Sequence, residues 1–168
     1  MTQIIRDMDK LTSVSRCLEE QGLTFEYRPL LCRITEANSV IARRLRLPLA
    51  TKVLEILRLR LINGATKTVE RVILPYDLVP GLQLLDLHQL SLSVILKDHY
   101  QLTPVRSEEE VSLASITEEE AELYGLGNNT EVVVIRGTAY YSPTVPLEHY
   151  EIIAVPDFFS FRSTHYYG

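Results

Sequence analysis

The run Lys52-Val53-Leu54-Glu55-Ile56-Leu57-Arg58-Leu59-Arg60-Leu61-Ile62 leads directly into Asn63-Gly64. It is too apolar for an exposed amphipathic helix, and an Asn-Gly pair after such a run is the strongest short-range signal for a β-hairpin. Side chains alternate across a strand, so Arg58 and Arg60 share a face with Leu54, Ile56 and Ile62. A guanidinium cannot shed its charge, and burying one unpaired is costly. Each arginine must therefore meet a carboxylate, lie at a sheet edge, or line a cavity that receives an anion.

The 168-residue chain is 46% apolar and 23% charged, which places it among single globular domains with a substantial core. No apolar run reaches the ~18 residues of a membrane-spanning helix. Asp7, Asp9, Lys10, Glu19 and Glu20 exclude a secretory signal at the start. Cys17 and Cys32 make neither a disulfide framework nor a metal spacing, in keeping with a reducing cytoplasm. The net charge of −5, with scattered Lys and Arg, argues against nucleic-acid binding by this chain alone. Glu108-Glu109-Glu110 and Glu118-Glu119-Glu120 read as solvated faces.

The pattern predicts four helices and about six strands. Helices start at Thr12-Ser13, at Asn38 or Ser39, after Ser91, and at Thr117, where Glu120 completes a capping box. Gly22, Pro48 and Gly125 end the first, second and fourth. Strands are expected at 27–35, 52–62, 66–74, 102–115, 130–141 and 145–155, the fourth of these at a sheet edge. Short helices interrupt consecutive hairpins, so the class is α+β with a mainly antiparallel, six-stranded sheet.

Register decides which polar residues can cooperate. A strict two-residue turn at Asn63-Gly64 pairs Ile62 with Ala65 and puts Glu70 opposite Leu57, away from the arginines. A three-residue loop puts Glu70 opposite Ile56, on the arginine face. In the last hairpin a loop at Ser142-Pro143-Thr144 pairs Thr138 with Glu148 and Arg136 with Tyr150. One face then carries Arg136, Thr138, Tyr140, Glu148 and Tyr150, a mix suited to a sugar or small acid. Ser91, Thr12 and Ser13 add hydroxyls at helix starts, where phosphate or carboxylate is favoured. Each feature has a plainer alternative as a helix cap, an ion pair or an exposed face. His88, His99, His149 and His165 have no metal spacing, and no cofactor fingerprint is present.

Taken in order, these elements resemble the UTRA effector-binding domain of the GntR/HutC family of bacterial transcription regulators. The matching segments are Leu11-Thr12-Ser13 with Gly22, Leu54 to Arg60 before Asn63-Gly64, Glu70, Leu74-Pro75 and Pro80-Gly81-Leu82. Ser91-Leu92, Ile95-Leu96, Thr117 to Leu126 and Val145-Pro146-Leu147-Glu148 complete them. The resemblance implies a chorismate-lyase-like fold over residues 11–168, preceded by a linker region at 1–10. It implies a homodimer that binds a small anionic metabolite, a sugar phosphate being favoured. DNA would be bound only through a winged helix-turn-helix domain that these residues do not include, so the chain would be part of a longer regulator or a free-standing module.

Under the resemblance, Arg58, Arg60 and Ser91 match positions that grip a phosphate or carboxylate. Glu70 and Glu148 match acceptors for ligand hydroxyls, and Thr12 and Ser13 match the helix start that closes over the anion. Ser93 stands where members often carry an aromatic residue, and Pro156 where many carry an arginine before Asp157. The expected function is a cytoplasmic, non-enzymatic sensor needing no metal or cofactor. The alternatives are a chorismate-lyase-like enzyme and a dimerisation module without ligand.

Overall fold

A computed structural model describes residues 3–168. All ten elements expected from the sequence are present, and two short strands join them. In chain order they are β1 (Ile4–Asp7), α1 (Val14–Glu20), β2 (Glu26–Glu36), α2 (Ser39–Leu45), β3 (Lys52–Ile62) and β4 (Ala65–Pro75). Then follow α3 (Leu92–Tyr100), β5 (Arg106–Ser115), α4 (Glu118–Leu123), β6 (Glu131–Tyr140), β7 (Pro146–Ala154) and β8 (Phe159–Arg162). The helices start where the capping residues stand. Ser13, Asn38, Ser91 and Thr117 each accept a backbone N–H of the first turn, and Glu120 closes the box with Thr117.

Strands β2 to β7 form one antiparallel sheet in the order β2-β3-β4-β7-β6-β5, with β2 and β5 at its edges. The predicted edge strand is thus an edge. Strands β1 and β8 make a separate parallel pair that draws the stretch expected as a linker into the domain.

Period two separates the faces of the sheet. Leu54, Ile56, Val72 and Leu74 pack against Leu92, Ile95 and Leu96 of α3, whereas Val53 and Ile73 meet Ala42 and Leu45 of α2. A third cluster joins Val14 and Leu18 of α1, Ala121 of α4 and Tyr124 at its end, Ile135, Ile152 and the Phe158–Phe159 pair. Each fully buried leucine or isoleucine stabilises the fold by roughly 1.5–3 kcal/mol.

The β3–β4 turn has two residues, with Asn63 at φ 52° and Gly64 at φ 78°, and Ile62 pairs with Ala65 as the strict turn requires. The register then shifts between Arg60 and Leu61, because Lys67 is bulged out of the β4 ladder. Glu70 therefore lies opposite Arg58, which corrects both expected registers. The β6–β7 hairpin has the same device. Tyr141 N–H bonds the Val145 carbonyl across the expected loop, but an extra residue at Leu147 shifts the ladder. Glu148 then pairs with Ala139 and Tyr150 with Gly137, not with Thr138 and Arg136.

Candidate functional site

Arg58 and Arg60 are 2% and 1% exposed, and neither is free. Arg58 Nη2 lies 3.6 Å from Glu70 Oε2, and its Nη1 donates to the carbonyls of Leu87 (3.1 Å) and Leu90 (3.0 Å). Its guanidinium is stacked 3.8 Å from the Tyr27 ring centroid. Arg60 donates to Thr68 Oγ1 (2.9 Å), Ser15 Oγ (3.1 Å), Tyr27 Oη (3.2 Å) and Glu70 Oε1 (3.5 Å). Ser15 and Tyr27 are themselves hydrogen-bonded to each other. The arginine pair holds Glu70 from below and, through Leu87 and Leu90, fixes the segment that delivers Ser91.

A second cluster lies farther along the same face. Gly137 has no side chain, and a Cβ there would collide with the Tyr150 phenol and with the Glu108 carbonyl. The bare backbone lets Tyr150 cross β6 and donate its hydroxyl to Glu109 Oε1 at 2.5 Å. The same oxygen accepts from Arg6 Nη2 at 2.5 Å, and Arg6 Nη1 donates to the Thr12 carbonyl at 3.2 Å. Glu109 is thus no part of a solvated run. Parity turns its side chain inward between Glu108 and Glu110, where it is 15% exposed.

Between these clusters lies a cavity of about 500 Å³, within the usual range for a small-molecule site. Glu70, Glu148, Tyr150, Glu109 and Arg6 line it from the sheet side, and Thr12, Ser13, Ser91, Ser93 and Lys97 from the α1 and α3 side. Ser91 Oγ lies 3.1 Å from Ser93 Oγ, two hydroxyls together at a helix start.

Two carboxyls of this cavity behave oppositely. Burial pushes Glu148 up, the neighbouring Glu70 charge adds to this and Arg58 opposes it, so its pKa stands at about 7. Burial also pushes Glu70 up, but the charges of Arg60 and Arg58 outweigh it and hold the carboxyl below its ordinary value. Burial, and then the Glu109 charge, raise the Tyr150 phenol, which stays protonated and donates. At Glu70 the cavity therefore offers a permanent carboxylate, and at Glu148 a carboxyl that near neutral pH can donate or accept.

Of the residues singled out in the sequence, Thr12, Ser13, Glu70, Ser91, Ser93, Glu148 and Tyr150 line the cavity. Arg58 and Arg60 lie beneath it, bound to Glu70. Arg136 and Tyr140 belong elsewhere, because the bulge at Leu147 sets them on the opposite face. Arg136 Nε pairs with Glu151 at 2.7 Å, and the Tyr140 ring lies 3.9 Å from the Arg106 guanidinium. Thr138 goes with them, its hydroxyl 3.1 Å from His149 Nδ1. The sequence reading missed Arg6, Tyr27, Glu109 and Lys97. Gly137, inside a strand between Arg136 and Thr138, was the available signal for the Tyr150–Glu109 contact. Among the described residues no cluster of His, Cys, Asp and Glu could hold a metal ion, and no helix is long and apolar enough to cross a membrane.

Comparison with known proteins agrees with the fold. PhnF of Mycobacterium smegmatis superposes with a TM-score of 0.88 at 20% identity, covering 100% of this chain and 74% of PhnF. The separately solved effector domain of PhnF gives 0.83 at 21% identity, over 92% of this chain and 95% of that one. A GntR-family transcriptional regulator of Bacillus cereus gives 0.72 at 21% identity, over 84% of this chain and 99% of its own. At these identities the likeness is one of fold. No curated protein sequence matches the chain. The UTRA domain model matches residues 20–160, most of the chain and the whole six-stranded sheet, and the protein therefore belongs to the UTRA domain family.

Proposed function

We propose that this chain is the effector-sensing domain of a GntR-type transcription regulator and that its cavity receives a small organic anion, a sugar phosphate being the best fit. The single observation that carries the reading is the composition of the cavity. Two serine-capped helix starts, α1 and α3, face a band of carboxyls held by buried arginines. Backbone N–H groups and the Ser13 and Ser91 hydroxyls suit the anionic group. Glu70 and Glu148 suit the hydroxyls of a sugar. Arg58 and Arg60 act through Glu70 and through the segment before Ser91 in this scheme, and do not touch the anion directly.

The reading includes a cytoplasmic homodimer in which ligand binding alters how a separate winged helix-turn-helix domain holds DNA, through differential affinity for two arrangements. One observation favours an enzyme on the same fold. Glu148, near 7, would suit a general acid or base. Thermal unfolding against sugar phosphates, phosphonates, organic acids, fatty acids and chorismate separates the readings. A ligand at ~100 times its Kd adds about 2.7 kcal/mol, a rise of roughly 5–10 °C for a domain this size. A rise without turnover supports the sensor. Consumption of chorismate supports the enzyme, and a flat panel supports a dimerisation module.

A further inference from the structure

The geometry points to a second recognition point in the cavity, Glu109, which takes a hydroxyl or ammonium group of the ligand and reports its presence to β1 through Arg6. This rests on the ligand-sensing reading and deepens it. Glu109 Oε1 is saturated by Arg6 and Tyr150, while Oε2 accepts no hydrogen bond among the described residues. Because Oε2 is not sealed from solvent, it can take a donor from a ligand in place of water. Arg6, 7% exposed, directs its two Nη groups to Glu109 and Thr12, so the pair is close to neutral and gives an anion no reason to bind here. An ammonium or a neutral hydroxyl fits.

The cavity spans four strands of the sheet, from β4 through β7 and β6 to β5. Glu70 on β4 and Glu109 on β5 are three strand spacings apart, ~14 Å along the sheet. A ligand that meets Glu70 with one group would therefore reach Glu109 with a different one. Arg6 supplies the consequence. It lies on β1, whose pairing with β8 spans only four residues and includes Arg6 opposite Phe161. The Arg6–Glu109 ion pair ties that short strand to the wall of the cavity. A donor at Oε2 holds the Glu109 carboxylate in one orientation and shares its charge with Arg6, so occupancy is felt at β1.

The test is a backbone-amide NMR titration of the whole chain with ethanolamine, with propionate as the anionic control of similar size and inorganic phosphate as probe of the serine end. The expected result is that ethanolamine, at tens of millimolar, shifts amides at Ser107, Glu109 and Tyr150 together with Ile4–Asp7, and that propionate leaves them unmoved. Glu109→Gln, which keeps an acceptor for Arg6 and Tyr150, should weaken the ethanolamine response at least fivefold. The wild-type titration needs no variant to decide the matter. Ethanolamine shifts that are absent, or confined to Glu70 and Glu148, overturn the assignment. Phosphate shifts at Ser13 and Ser91 in that case leave the sensing reading standing, and silence from both probes overturns the two together.

Discussion

Replacing Glu148 by Gln keeps the shape of the side chain and removes one titration. Glu148 sits between Glu70, which repels its charge, and Arg58, which attracts it, and burial outweighs both. A carboxyl raised when folded stays protonated in the native state while the unfolded chain has already ionised. The stability it contributes is complete below pH 4.5 and is lost as pH rises toward about 7. Moving a carboxyl over that interval is worth about 3 kcal/mol, at ~1.4 kcal/mol for each pH step. Glu148→Gln carries no such loss. Thermal unfolding at pH 5, 6, 7 and 8 should show the two proteins converging at the acid end. At pH 8 the variant should melt ~6–12 °C higher, since each kcal/mol moves Tm by roughly 2–4 °C in a domain this size. His149, whose pKa burial lowers, is common to both proteins and cancels in the difference. Parallel profiles, or a variant less stable at pH 8, would refute the argument and show Glu148 ionised and stabilising.

Arg58→Leu and Arg60→Leu should each destabilise by about 3–5 kcal/mol in urea unfolding, since each removes one partner of a buried ion pair. An unchanged midpoint would instead favour a direct ligand-gripping role for the two arginines. Gly137→Ala should cost about 1–3 kcal/mol, because the new methyl meets the Tyr150 ring and the Glu108 carbonyl. A neutral result by the same assay would mean that Tyr150 does not cross β6. Arg136→Ala, on the face opposite the cavity, should leave both ligand binding and unfolding stability within ~0.5 kcal/mol of wild type.

Most of the fold could be read from local chemistry. Asn63-Gly64 gave the hairpin, and Ser13, Asn38, Ser91 and the Thr117–Glu120 box gave the helix starts, because caps and turns are decided within a few residues. The face of each polar residue was harder. Bulges at Lys67 and Leu147 change parity in both hairpins, and a bulge is settled by which register packs best across the sheet. The first bulge brought Glu70 to Arg58, and the second took Arg136 and Tyr140 out of the site. Glu109 was hidden for another reason. Its burial depends on Arg6, delivered by a four-residue strand whose partner lies at the far end of the chain, and no local pattern encodes that pairing.

The bulge at Lys67 gives the β3–β4 hairpin one residue of slack. The tight Asn63-Gly64 turn and an unbroken ladder would together place Glu70 opposite Leu57, so the ion-pair row exists because the chain is one residue longer than a plain ladder needs. Loss of Lys67 would be absorbed, giving an even ladder with Arg58 still facing Glu70. Gain of a residue at the same place would need a second bulge or would turn Glu70 outward. Changes of length in this hairpin are thus unequal in effect: shortening spares the arginines, and lengthening strands them.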